Sequence, residues 1–160
     1  MAAILPPIPK YVFAVFEPIS LVAGFISAVS NPALFTSSQI PRASPETPLS
    51  PHGLMTVLQL GSLYLLMAFV AIAIFYTTTE VKVVRAYVFA LLLGDIGHLG
   101  MTYYVLGFDQ FADIRGWNAM AWGNIGITMG LFITRTSYLL GLLGKDTPVR
   151  QRQIPKGKKR

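Results

Sequence analysis

The sequence predicts an all-α fold, an integral membrane bundle of four transmembrane helices. Three observations carry that expectation. Apolar residue types make up 53% of the 160 residues and charged types only 12%, about half the ~25% usual in a soluble domain. Four apolar stretches each approach or exceed the about 20 residues that a helical span needs. Seven of the thirteen basic residues lie in the last sixteen positions, which leaves the rest of the chain nearly neutral. Lipid offers backbone groups no partner, so each stretch has to be a helix. Such a composition argues against a soluble enzyme, a disordered chain and a nucleic-acid-binding domain.

The first span covers residues 11–29 and is broken only by Glu17-Pro18. It lacks a basic leading region, so it reads as a retained helix and not as a cleaved signal. The 30–53 loop holds Pro32, Pro41, Pro45, Pro48 and Pro51 among several serines. That composition predicts an extended, poorly packed cap, with His52 solvated. The second span, 54–76, has no charged residue. A soluble bundle helix would need a polar stripe there. The third span is 83–106. The 107–116 loop mixes aromatics with Asp109, Asp113 and Arg115 and reads as an interfacial cap on the fourth span, 117–143. Small residues at Ala86, Ala90 and Gly94, and at Gly126 and Gly130, are expected to let helices approach closely. Residues 1–144 thus form one transmembrane domain and 145–160 a basic tail.

Charge placement predicts orientation. With four spans, Lys10, Lys82, Arg85 and the seven tail residues share one side, and Arg42 and Arg115 lie on the other. The basic side faces the cytosol, so both termini are expected there. Lys156 and Lys158, fifth and third from the end, resemble a dilysine retrieval signal and imply the endoplasmic reticulum membrane. The absence of cysteine excludes disulfides, zinc–thiolate sites and a thiol nucleophile. One Asp-x-x-His pair and one Glu are too few for a di-metal bundle. No metal or other cofactor is expected. The expected partners are the bilayer and a lipophilic small molecule, with no nucleic acid.

Four ionisable side chains fall inside the spans: Glu17, Asp95, His98 and Arg135. A charge at a helix centre costs about 2.5–3.5 kcal/mol on insertion scales, so a functional site is the default reading. At about 1.5 Å per residue, Glu17 and Arg135 lie at similar depths from the cytosolic side and could form an ion pair. His98 and Asn124 match in depth from the other side, and Gln59 and Ser62 lie in that same half. At about 100° per residue, Asp95, His98 and Thr102 form one stripe, and Trp117, Asn124, Thr128, Arg135 and Tyr138 form another. Both stripes are expected to face the interior. Asp95 and His98, one turn apart, form an acid–base pair open to tuning by burial. A network that only fixes helix register is the competing reading.

Phe16-Glu17-Pro18-Ile19, Leu93-Gly-Asp95-Ile-Gly-His98-Leu99, and Trp117-Asn118 through Trp122-Gly-Asn124 to Arg135 resemble small fungal four-helix membrane proteins of secondary metabolism. That group is similar to the ascochlorin-type membrane-bound terpene cyclases and to membrane hydrolases that open polyketide epoxides. The resemblance covers most of residues 10–144, outside the proline-rich loop. It implies opening of an epoxide on a lipophilic terpenoid or polyketide. Asp95 or Glu17 would protonate the oxirane oxygen, and His98, Asn124 and Arg135 complete the implied catalytic set. Trp117, Trp122, Tyr103, Thr102, Thr128 and Gln59 are the implied substrate wall. A membrane isomerase, a sterol- or lipid-binding bundle, and a non-catalytic accessory protein are the alternatives.

Overall fold

The computed structural model describes residues 4–42 and 49–147. All regular structure among them is helical. Three helices are long and apolar enough to cross a membrane: α1 (Pro7–Ser30), α3 (Pro51–Thr77) and α4 (Val81–Ala112). A short helix, α2 (Pro32–Ser37), follows α1. The chain closes with α5, residues 119–139, which runs through Ala119–Ala121, Trp122–Ile127 and Thr128–Leu139. Its longest regular stretch has 12 residues and contains Arg135, so its apolar character is the weakest of the long helices.

In its described parts, 30–42 and 49–53, the 30–53 segment departs from the extended cap that its prolines suggested, and Pro45 and Pro48 lie outside the described residues. Pro32 and Pro51 occupy the first turns of α2 and α3, where a missing N–H costs nothing and the fixed φ favours a helix. Each is preceded by a capping side chain. Asn31 Oδ1 accepts from the Leu34 N–H at 3.0 Å, and Ser50 Oγ accepts from the Gly53 N–H at 3.1 Å. Phe35 of α2 is buried with Ala28 and Val57, so this segment packs on the helices beneath it. His52 is exposed in the first turn of α3. The basic tail lies outside the described residues beyond position 147.

The four long helices pair as α1 with α3 and α4 with α5. At the end where the described chain begins and ends, one apolar cluster joins all four: Phe13, Phe75, Val88 and Tyr138 are its largest fully buried members. Ile4 and Leu5 lie in that cluster, and the Thr147 N–H donates to the Ile4 carbonyl at 2.9 Å. At the opposite end there are two smaller cores, one under α2, against which Met120 of α5 also packs, and one formed by Leu106, Ala121 and Ile125. The outer faces stay apolar, with Phe69, Phe89, Leu93, Ile96 and Ile133 all exposed. A soluble monomer rarely shows such a surface, whereas lipid accepts it.

The close helix approach is not where the sequence placed it. Gly94 and Gly130 face open space, and Ala86 and Ala90 are exposed. The atoms nearest to a Cβ added at Gly126 belong to Trp122 and Trp117, not to a facing long helix. The tight seam is between α1 and α3. A Cβ added to Gly61 would meet the Ala28 Cβ at 3.1 Å, and one added to Gly24 would meet the Tyr64 ring at 3.1 Å.

Two local devices shape the site. α1 opens into a π turn over Val12–Phe16, in which the Glu17 N–H donates back to the Val12 carbonyl. Pro18 follows and cannot donate to the carbonyl four residues earlier. That carbonyl, of Ala14, accepts instead from the Tyr76 hydroxyl of α3 at 3.0 Å. A second π turn, Trp122–Ile127, carries Asn124. Such wide turns are frequent at functional positions. At its far end α5 stops on Gly141, whose φ of 76° closes the turn. The Leu142 N–H reaches the Ser137 carbonyl and the Gly141 N–H the Tyr138 carbonyl, a Schellman arrangement. Arg85 of α4 donates to the remaining Leu139 carbonyl at 2.7 Å.

Candidate functional site

Arg135 is the organising side chain. It is 1% exposed, and its guanidinium forks between two helices. Nη1 donates to Asp95 Oδ2 on α4, and Nη2 donates to Glu17 Oε1 on α1. The Phe13 ring lies 5.8 Å from the guanidinium carbon. Arg is suited to this because its planar fork offers donors in two directions, where Lys offers a point charge. The sequence expectation of a Glu17–Arg135 contact matches this geometry. The expected Asp95–His98 pair is in electrostatic contact across one turn, while the Asp95 hydrogen bond goes to Arg135. Asp95 is drawn to Arg135, and His98 Nε2 is buried without a hydrogen-bond partner among the described residues. A guanidinium one helix away offers a charge-assisted bond, which outcompetes a neighbour on the same helix.

The charge count is the central chemical fact of the triad. Two carboxylates face one guanidinium, so neutrality requires one further proton, on a carboxyl or on His98, which interacts electrostatically with Asp95. The site also keeps unused capacity. Glu17 Oε2 and Arg135 Nε are buried with no partner among the described residues, and Asp95 engages Arg135 through Oδ2 alone.

One turn along α4 from Asp95 lies a cleft of ≈ 280 Å³ between α4, α5 and the segment after α2. Its polar lining is His98, Thr102, Asn124 and Gln39, and its apolar lining includes Ile40, Met101 and Val105. Asn124 Nδ2 donates to Gln39 Oε1 at 2.6 Å, and Gln39 Nε2 donates to the Phe35 carbonyl at 3.3 Å. His98 interacts with the backbone of Asn124. The Thr102 hydroxyl donates to the His98 carbonyl at 2.8 Å.

Of the side chains expected as a substrate wall, only Thr102 lines this cleft. Trp122 is 50% exposed and Tyr103 48% exposed, and Gln59 lies on the outer face of α3. Thr128 is half-buried in α5 but outside the cleft lining. Trp117 precedes α5 in extended backbone, and its indole N–H donates to the Gln110 carbonyl at 3.3 Å. Its ring packs edge-on against Trp122 at 5.0 Å. Phase arithmetic at 100° per residue failed for Trp117 because that residue is not helical. Gln39 and Ile40 carried no sequence signal, since they sit in an aperiodic loop far from Asn124 in the chain. Met101 and Val105 were readable in principle, three and seven residues after His98 on the same helix.

A family model described as a domain of unknown function (DUF7704) matches residues 2–145. No curated protein and no solved structure matches the chain.

Proposed function

This chain belongs to the DUF7704 family, and we propose that it is an integral membrane enzyme that opens an epoxide on a lipophilic terpenoid or polyketide by acid–base catalysis. One observation carries the acid–base reading: two buried carboxylates share a single guanidinium beside a cleft that holds an unpartnered imidazole nitrogen. The epoxide class comes from the resemblance to fungal secondary-metabolite cyclases and hydrolases. The carboxyl that holds the shared proton is the acid, with Asp95 nearest the cleft. Its proton passes to the oxirane oxygen as the C–O bond breaks. Water or an internal alkene forms the new bond to carbon, and His98 or the resulting carboxylate takes the proton released. Arg135 keeps the second carboxylate ionised and both in place. No metal or cofactor enters this scheme.

The proposed setting is the endoplasmic reticulum membrane, with all four long helices spanning it and both termini cytosolic. The decisive test presents microsomes carrying the full chain with terminal epoxides of farnesyl acetate and of a prenylated phenol. Diol or cyclised product is expected above the level of microsomes without the chain. One observation favours a second reading, a lipid-binding or accessory protein: Arg135 engages both carboxylates, and the cleft lining does not include Glu17, Asp95 or Arg135. Absence of conversion across such epoxides, with a lipid recovered on the purified protein, gives that reading the site.

A further inference from the structure

The cleft between α4 and α5 specifies more than a lipophilic ligand. We infer that it takes the neutral hydroxyl head of an amphipathic lipid that arrives sideways from the bilayer. This ligand is distinct from the epoxide proposed above, and its binding does not depend on that chemistry.

His98, Thr102, Asn124 and Gln39 line the cleft, and no side chain of fixed charge is among its lining residues. A carboxylate, phosphate or ammonium head would be desolvated there without a counter-charge. A neutral head escapes that penalty. Among the cleft-lining side chains, His98 Nε2 is buried without a hydrogen-bond partner among the described residues. A hydroxyl both donates and accepts, so it satisfies that nitrogen in either tautomer. Its second bond falls to the Asn124 amide, which spends one N–H on Gln39 and retains further capacity.

Size and exposure set the route. A cleft of ≈ 280 Å³ is below the range of roughly 300–1,000 Å³ that encloses most of a drug-sized ligand. It holds a head and the first part of a chain, not a whole lipid. The remainder must lie outside, and the apolar lip supports it there. Met101 is 71% exposed and Val105 65% exposed, on the α4 face that the membrane reading places against lipid. Gln39, bonded to Asn124 across the cleft, closes the other side.

The experiment uses the full chain in microsomes and two photoreactive, alkyne-tagged probes of equal chain length, hexadecanol and hexadecanoic acid. The alcohol should label the segment around Met101 and Val105 at least fivefold more than the acid, and excess untagged hexadecanol should compete. His98→Leu and Asn124→Leu, which keep bulk and remove polarity, should each reduce that labelling at least fivefold, whereas His98→Gln should retain most of it. Met101→Trp, at an exposed lip, should block labelling without loss of folded protein. Equal labelling by alcohol and acid, or labelling unchanged by the His98 and Asn124 variants, overturns the inference. The two readings separate cleanly. Selective labelling by a chain that converts no epoxide keeps this binding inference and removes the enzyme. Turnover without selective labelling keeps the enzyme and removes the inference.

Discussion

At the scale of single residues, Asp95 and Arg135 are expected to fail in different ways. Asp95→Asn keeps the shape and can still hydrogen-bond to Arg135, but an amide is neither a useful acid nor a base. The expected result is a folded, inserted protein whose turnover falls by about a hundred- to ten-thousandfold, the usual size of an acid–base contribution. Rates are measured on microsomal epoxide conversion, normalised to folded protein. Near-full activity in both Asp95→Asn and Glu17→Gln would remove the embedded acid from the mechanism. Arg135→Leu strands two carboxyls at once. Breaking a buried pair by removing one partner costs roughly 3–5 kcal/mol, so the expected readout is loss of folded protein in detergent. Arg135→Lys should restore only part of it, because one ammonium cannot fork between Asp95 and Glu17. Tyr76 gives a third, independent prediction. Its hydroxyl satisfies the Ala14 carbonyl that Pro18 cannot, and a buried acceptor left unmade costs about 1–3 kcal/mol. Tyr76→Phe should lower thermal stability by that amount, while Pro18→Ala, which supplies the missing N–H, should make the same Tyr76→Phe change cheaper. Equal costs in both backgrounds would break the link between the two residues.

At the scale of helices, the seam between α1 and α3 and the outer face of α4 should answer small changes with opposite sign. Gly61→Val forces branched bulk against Ala28, and overpacking costs about 1–3 kcal/mol. Gly94→Ala and Gly130→Ala meet open space, and Ala exceeds Gly as a helix former by up to about 1 kcal/mol. Those two should be neutral or stabilising in a detergent melting series. A Gly94→Ala variant as damaged as Gly61→Val would show that the face of α4 is covered in the membrane. The elements themselves were largely legible. Apolar run length placed three helices over α1, α3 and α4, because lipid leaves the backbone no alternative, and the third run ends where Gly107 (φ 69°) kinks α4. What escaped was the sense of the prolines. Pro32 and Pro51 read as loop formers by composition, yet Asn31 and Ser50 in front of them are caps, and cap followed by proline starts a helix. The helix contacts escaped too. Gly and Ala recur on several faces, and a single sequence does not say which face meets a neighbour.

At the scale of the whole molecule, the Glu17–Arg135–Asp95 triad ties the two helix pairs together beside the apolar cluster that joins all four helices. The end where the described chain begins and ends is closed by that cluster and by the pairing of Ile4 with Thr147. The opposite end relies on α2 and on polar cross-links, Asn118 to the Ser38 carbonyl at 3.0 Å and Asn124 to Gln39. Half of this site was readable in advance. Matching depth brought Glu17 to Arg135 and His98 to Asn124, since rigid helices convert position in the chain into height in the membrane. Depth does not fix lateral neighbours, so the merging of Asp95 into the Arg135 cluster and the arrival of Gln39 from a loop were not readable. The same asymmetry of ends fixes the last prediction. In the sequence, ten basic residues fall in the N-terminal segment, around the 77–82 link and in the C-terminal tail, against Arg42 and Arg115 in the two opposite loops. Arg42 is spent on an ion pair with Asp113, which further weakens the basic character of that end. The termini should therefore face the cytosol. Glycosylation acceptors placed in the 43–48 segment should be modified in microsomes and acceptors in the tail should not. Modification of the tail alone would invert the orientation, put the triad nearer the lumenal surface, and require the proton taken up at Asp95 to come from that side.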